Sequence, residues 1–279
     1  MKQYLEQIEA MRVKLPPLDA GKLKYFAAVM MLIDHMACVF LENAYTADGA
    51  SLMFSLPHGE LADKLLRVAG RQAFPIFCFF LVEGFAKTRS RLRYFVRLLI
   101  FAVLSQLPFQ RGIFPRGKYF HGNVICTLAI GLLAIWVIDS MKLAFPGRGD
   151  HFPERGDQSG GTNAEMSRML SGFLFIFVSC SSLYGFSRLA AALRTDYSYG
   201  GVVMIVLLYL LQKYRITALF VSWAWLSWYN RFELYSAPAF YLLACYNGQR
   251  GKQHKYFFYF FYPVHLLILW LLRRHFFGV

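Results

Sequence analysis

The stretch "MMLIDHMACVF", residues 30–40, places two ionisable side chains inside an apolar run. Asp34 and His35 interrupt the run, which resumes at Met36. A helix in water could carry such a pair on its solvated face. A helix that crosses a bilayer has no such face, and an ionisable group at membrane depth marks a function, a pathway or a structural pair. The composition of the rest of the chain decides between the two cases.

The composition is that of a membrane protein. Of 279 residues, 57% are hydrophobic and the mean hydropathy is +0.39. Only 16% are charged, against about 25% in ordinary soluble domains. Several apolar stretches reach about 18–20 residues, the length that crosses a hydrocarbon core of about 30 Å. These features predict an all-α protein, a polytopic bundle of transmembrane helices.

The apolar stretches predict about nine spanning helices, within a range of about eight to ten. Residues 1–21 form a polar N-terminal segment, and 22–279 form a single membrane domain. A stretch rich in Gly, Pro and charge, residues 145–166, is predicted to be a flexible linker inside that domain. The predicted helices are 23–42, 71–88, 92–110, 122–145, 168–190, 198–214, 215–230, 233–247 and 255–275.

The net charge of +14 is concentrated in loops. The loop "KTRSRLR", residues 87–93, contains four basic residues and no acid. Short loops rich in Lys and Arg remain in the cytoplasm, so the N-terminus is expected there too, in a bacterial plasma membrane. The same charge predicts contact with anionic membrane lipids rather than with nucleic acid.

Asp34 needs a partner from another helix. Adjacent residues of a helix point about 100° apart, so His35 is not that partner. Arg71 is the best candidate in the sequence, because an arginine–carboxylate pair would join the first two helices and would leave His35 facing elsewhere. An uncompensated carboxylate at this depth would cost several kcal/mol.

The other polar residues in apolar segments each have a structural alternative to a functional role. Glu83 precedes the basic loop and could pair with Lys87 one turn later. Asn123 could cap a helix. Asp139 lies near a helix end, where interfacial water can solvate it, and His265 could be an ordinary interhelical histidine.

Lys24 and His35 share one stripe of the first helix. Eleven residues separate them, which brings the helix back to within about 20° of the same face and about 16 Å farther along its axis. A ligand with phosphates at the rim and a long arm reaching the membrane interior would span that distance. A coenzyme A thioester has this shape.

Five stretches in order resemble the TraX family, membrane acetyltransferases that N-acetylate pilin. The first is similar to the family's Lys–x10–His helix with its Asp-His pair, and the last to its closing Tyr-x-x-His helix. A wider resemblance is to sugar-acetylating membrane acyltransferases, in which an arginine stands where Lys24 is. The five stretches are "LKYFAAVMMLIDHM" (23–36), "RVAGRQAFPIFCFFLVEGF" (67–85), "HGNVICTL" (121–128), "DYSYGGVVMI" (196–205) and "FFYPVHLLIL" (260–269).

The resemblance implies an acetyl-CoA-dependent acyltransferase whose acceptor is an amine or hydroxyl, on a pilin-like N-terminus or a glycan. No metal is expected. His35 would act as a general base or would carry the acetyl group itself, and both routes stay open. A proton-coupled transporter or lipid flippase is the alternative, since intramembrane acids and histidines suit it too. The expected site residues are His35, Asp34 and Arg71 (catalytic), Lys24, Arg91 and Arg93 (cofactor-binding), and Asn123, Tyr262, His265 and Glu83 (substrate-binding).

Overall fold

A computed structural model describes residues 16–45, 51–115, 119–144, 162–254 and 256–278. Across these ranges the ordered backbone is helical. The extended pairing is limited to isolated bridges, from Leu18 to Tyr246 and from Tyr45 to Ser51. The all-α prediction is therefore confirmed.

The helices follow one another with short connections. The first, α1, continues without a break into a π-helical segment, Ala37–Glu42, and a 3-10 segment, Arg231–Ser236, precedes α10. The helices are α1 (Ala20–Met36), α2 (Leu52–Ser55), α3 (Gly59–Gly70), α4 (Ala73–Lys87), α5 (Arg91–Ile113), α6 (Val124–Ala144), α7 (Thr162–Ala192), α8 (Ser198–Leu210), α9 (Arg215–Tyr229), α10 (Ala237–Ala244) and α11 (Phe257–Phe277).

Six helical stretches in the described ranges are long and apolar enough to cross a membrane: 20–42, 59–87, 91–113, 124–141, 170–192 and 257–277. They indicate a multi-pass membrane protein. The other three predicted helices also exist, but they are shorter. They correspond to α8, to α9, and to the 3-10 segment with α10.

The predicted helix 71–88 corresponds to α4, Ala73–Lys87, and Arg71 lies in the turn between α3 and α4. The stretch that is long and apolar enough to cross a membrane begins earlier, at Gly59, because α3 precedes α4 directly. Apolar content had suggested the later start, because α3 is strongly amphipathic and its charges lower its hydropathy. Residues 162–166 of the expected linker are helical, at the start of α7. The rest of that linker, 145–161, and residues 1–15 lie outside the described residues.

Side-chain contacts link neighbouring helices at each of the two ends of the bundle. At the end that holds Lys24, called here the basic end, Tyr246 donates a hydrogen bond to Glu83 (2.7 Å). At the opposite end, called the far end, Asn43 donates to the carbonyl of Ile113 (3.0 Å). Arg273 reaches the carbonyl of Gly112 there (2.9 Å). His35 lies between the two ends, on the buried face of α1.

Close helix contacts depend on glycine. A Cβ added at Gly200 in α8 would come within 2.5 Å of the Tyr229 ring in α9. The carbonyl of the same glycine accepts a hydrogen bond from the Trp225 indole N–H (2.9 Å). Small residues that let backbones approach are typical of helix interfaces in membranes, where apolar burial against lipid gives little driving force.

We expect Gly200→Ala to lower the thermal unfolding midpoint in detergent, because the rigid Tyr229 ring cannot move without disturbing α9. Overpacking of this kind costs about 1–3 kcal/mol. Gly185→Ala on α7 is the matched control, since no atom lies within 4 Å of a Cβ there. The control is expected to keep or raise the midpoint, since alanine favours a helix over glycine by about 1 kcal/mol. Equal midpoints for the two variants would contradict the close α8–α9 contact.

Candidate functional site

Two histidines from opposite ends of the chain meet inside the bundle. The Nδ1 atom of His35 on α1 lies 2.7 Å from the Nε2 atom of His265 on α11. The two ring planes are within 6° of each other and their centroids are 5.0 Å apart, so the rings meet edge to edge. Both side chains are buried, and the ring of Tyr262 contacts the pair from the side.

The hydrogen-bond network determines where the protons of the two rings lie. The Nδ1 atom of His265 is 2.5 Å from the carbonyl oxygen of Phe261. A carbonyl can only accept, so this Nδ1 carries the proton and, in a neutral ring, Nε2 of His265 is the acceptor. His35 must then donate from its Nδ1. The Nε2 atom of His35 is left with a free lone pair, which is what a base or a nucleophile needs.

Asp34, the neighbour of His35, is held by two arginines. Its carboxylate accepts from Arg67 (2.6 Å) and from Arg71 (2.9 Å). Arg71 continues to Glu233 of the 3-10 segment (3.0 Å), and Arg67 continues to Glu42 at the end of the π-helical segment (3.1 Å). The predicted contact between Asp34 and Arg71 is therefore present, within a network of three carboxylates and two guanidinium groups.

The sequence spacing also indicates that Arg67 can join Arg71 at the same carboxylate. Arg67 and Arg71 are four residues apart, which places them on the same face of a helix. Gly70 lies between them because a Cβ at that position would overlap the side chain of Asp34. Glu233 had no such signal, since it lies far away in sequence and only the fold brings it to Arg71.

Glu233 is the most deeply buried acid of this network, with 1% of the residue exposed. Burial raises the pKa of its carboxyl group, and the guanidinium of Arg71 opposes that change. One oxygen bonds to Arg71, while the other, Oε2, has no hydrogen-bond partner among the residues described.

The expected cofactor-binding cations lie in different surroundings. Lys24 is half-buried, donates to Gln253 (3.2 Å) and lies 4.8 Å from the centroid of the Phe80 ring. Arg91 is paired with Asp139, and Arg93 is exposed on α5.

A cavity of about 720 Å³ opens beside Lys24 at the basic end. Lys24 lies in the electrostatic field of Arg250, one of the lining residues. The loop around Gly251 runs against the start of α1, where the carbonyls of Gln249 and Arg250 accept from the amides of Ala20 and Gly21. The lining residues are Tyr25, Arg250, Gly251, Lys252, Gln253 and His254.

The four expected substrate-binding residues separate into two groups. His265 is one member of the histidine pair, and the ring of Tyr262 contacts that pair. Asn123 is fully buried at the far end, where its Oδ1 accepts from the amide of Ile125 (3.0 Å) and caps α6. Glu83 lies at the basic end and accepts from Lys87 (2.7 Å). The contacts of Asn123 and Glu83 are those of their structural alternatives.

No group of three or more potential metal ligands is found in the part of the chain that the structure describes. A histidine with a free lone pair lies mid-bundle, next to an ion network that fixes its helix.

We expect Asp34→Asn to lower the thermal unfolding midpoint strongly, because Arg67 and Arg71 would lose their shared anion. Breaking a buried pair in this way costs about 3–5 kcal/mol. The control is Glu60→Gln, an exposed acid in the first turn of α3. Surface substitutions of this kind stay within about 0.5 kcal/mol. An Asp34→Asn midpoint equal to that of the control would show that the network does not stabilise the fold.

The chain is similar to known proteins over most of its length. The family model described as "TraX protein" matches residues 20–145 and 173–273. A relative in Dichelobacter nodosus, the "Probable fimbrial assembly protein FimC, serogroup H1", is 34% identical over 137 residues, 46% of this chain. That match spans 49% of the relative's own length. No solved structure matches. Because the family model covers the described membrane helices almost from end to end, the chain belongs to the TraX family.

Proposed function

We propose that this protein is a membrane-embedded acetyltransferase that moves an acetyl group from cytoplasmic acetyl-CoA to an amine or a hydroxyl. The observation that supports this most directly is the histidine pair. Its geometry leaves the Nε2 lone pair of His35 free at mid-bundle, on the same helix as Lys24. The resemblance to pilin-acetylating and sugar-acetylating families supports acetyl transfer as the chemistry.

His35 can act in two ways, which the geometry supports equally. As a general base, Nε2 accepts the proton of the acceptor while the acceptor's nitrogen or oxygen attacks the thioester carbonyl. The C–S bond then breaks and coenzyme A leaves as a thiolate, which takes up the proton. As a nucleophile, Nε2 would attack the thioester carbonyl, and the C–S bond would break to release coenzyme A as a thiolate. The acceptor would then attack the acetyl-imidazole, the bond from Nε2 to the acetyl carbon would break, and the proton of the acceptor would pass to the freed Nε2.

His265 is a positioning residue in either route. It accepts the Nδ1–H of His35 and so selects the tautomer with a free Nε2. When His35 gains a proton or an acetyl group, its ring becomes cationic and its Nδ1–H becomes a stronger donor. The bond to His265 therefore strengthens as the reaction proceeds, which is the direction that lowers a barrier.

The basic end suits the phosphates of acetyl-CoA. Arg250 and Lys252 line the cavity beside Lys24, and eleven residues of helix place His35 about 16 Å deeper. We propose Arg250 and Lys252, rather than Arg91 and Arg93, as the arginine and lysine that bind the phosphates together with Lys24. Arg91 is less suited to this role because it is paired with Asp139. The concentration of basic loops at this end supports our proposal that it faces the cytoplasm, with the protein in a bacterial plasma membrane.

The acceptor partner is a peptide or a glycan at the cell surface. The name of the Dichelobacter nodosus relative refers to fimbrial assembly, and we extend to this chain a role in modifying a fimbrial subunit or a surface sugar.

We expect His35→Ala to lower the turnover of acetyl-CoA by at least about 10²-fold, because a general base contributes about 10²–10⁴-fold. His265→Leu should lower kcat too, while His265→Gln, whose amide oxygen can still accept from His35, should keep part of the rate. The measurement is release of free coenzyme A by protein in nanodiscs. His275→Ala, an exposed histidine on the same helix as His265, is the control. Near-normal turnover in a folded His35→Ala would overturn the assignment.

We expect Lys24→Met and Arg250→Gln to weaken acetyl-CoA binding about tenfold or more with little change in kcat at saturation. The phosphates lie far from the reacting carbonyl, so their contacts contribute uniform binding. Lys24→Arg should be tolerated, since phosphate accepts either cation. Titration of acetyl-CoA against each variant gives the dissociation constants, and Lys64→Met, exposed on α3, is the control. Unchanged binding by both variants would place the nucleotide elsewhere.

A further inference from the structure

A second cavity, of about 350 Å³, opens at the far end of the bundle. It lies between the end of α5, the start of α6 and the connection from α7 to α8. None of its lining residues belongs to the histidine pair or to the ion network around Asp34. The residues that argue for a ligand are Phe114, His121, Arg194, Thr195 and Asp196, all of which line the cavity.

The connection at this cavity is held in an uncommon conformation. Arg194 and Ser198 both have left-handed backbone angles, with φ of 47° and 44°, although neither is glycine. Such conformations are strained for residues other than glycine, and they cluster at binding sites. Gly122 fixes the loop: its amide donates to Leu193 (3.1 Å) and its carbonyl accepts from Asp196 (3.0 Å).

Two polar side chains in this lining make no side-chain hydrogen bond or ion pair with the described residues. Thr195 is 3% exposed, and its hydroxyl has no hydrogen-bond partner within the described ranges. A buried polar group without a partner costs about 1–3 kcal/mol. The carboxylate of Asp196 makes no ion pair or side-chain hydrogen bond with any residue that the structure describes, and it is exposed to the cavity.

The charges and rings of the lining indicate the chemistry of the ligand. Arg194 and Asp196 together have no net charge, so an ammonium ion would meet a like charge as well as an opposite one. A neutral ligand with several hydroxyl groups can use the donor, the acceptor and the Thr195 hydroxyl together. Phe114 and His121 are stacked 4.2 Å apart and offer an aromatic face to the apolar side of a sugar ring.

The cavity borders the ion network beside the histidine pair. The ring of Tyr197, the next residue after Asp196, lies 6.0 Å from the guanidinium of Arg71, which is paired with Asp34. The basic-end cavity and this one thus lie on opposite sides of His35. We propose that the far-end cavity binds the acceptor and that the acceptor is a saccharide. Its role as an acceptor rests on the proposed acetyl transfer, but the binding of a saccharide does not.

In the reaction, one sugar hydroxyl would form the new C–O bond to the acetyl carbon. Its proton would go to Nε2 of His35, and the C–S bond would break to release coenzyme A. In the acetyl-imidazole route, the bond that breaks in the second step is the one from Nε2 to the acetyl carbon.

The test is saturation-transfer difference NMR on the whole protein in nanodiscs, without acetyl-CoA. The probes are a panel of methyl hexosides, their N-acetylamino forms, and a tri-alanine peptide with a free amine. We expect at least one glycoside to bind, Asp196→Asn and Arg194→Gln each to weaken it about tenfold, which is about 1.4 kcal/mol, and Arg188→Gln to leave binding unchanged. Arg188 is an exposed arginine on α7 outside the cavity.

Three results would overturn the proposal: no glycoside binds beyond the level of empty nanodiscs, all variants bind equally, or only the tripeptide binds. His35→Ala separates this proposal from the proposed function, since it should still bind the glycoside. Glycoside binding without any release of coenzyme A from acetyl-CoA would refute acetyl transfer and leave the saccharide site standing.

Discussion

The carboxylate of Asp34 is the constraint on which the rest of the site depends. A charge at membrane depth is tolerated only when it is paired, and Asp34 is paired twice, with Arg67 and Arg71. These two contacts tie α1 to the helix pair α3–α4, and the link from Arg71 to Glu233 adds the 3-10 segment. Once α1 is fixed in rotation, the next residue, His35, has one direction left to face, which is toward α11.

The histidine pair shows how a short chain of hydrogen bonds can fix which ring nitrogen carries the proton. The carbonyl of Phe261 sets the proton on His265, and His265 sets the proton on His35. Each step follows from the rule that a carbonyl cannot donate. The two cavities differ in the charge of their lining: Arg250 and Lys252 line the one at the basic end, whereas the one at the far end has Arg194 and Asp196 together with aromatic rings.

Two kinds of contact in the site could be predicted from the sequence: the pairing of a buried acid with one of the few cations in apolar segments, and contacts between residues a few positions apart. The Asp34–Arg71 contact was predicted because a buried acid needs a cation and few cations lie in apolar segments. Glu83 and Asn123 are found in the contacts that local spacing suggests, with Lys87 and with the α6 amides. The cations expected to bind the cofactor were harder to predict in this way. Arg91 lies in a basic stretch but is paired with Asp139, near the end of the next helix along the chain, and spacing cannot reveal that pairing.

The sequence by itself determined that the chain is a bundle of membrane helices, because apolar length and the low fraction of charge are local properties of each segment. It also determined that Asp34 and His35 require partners, since desolvation is costly wherever an ionisable group is buried. Only the tertiary structure decided that His35 meets His265 and that Arg67 joins Arg71 at Asp34. His265 lies far along the chain from α1, and its position beside His35 depends on how the helices pack. That packing is set by close contacts such as the one at Gly70, whose effect appears only when the neighbouring helix is in place.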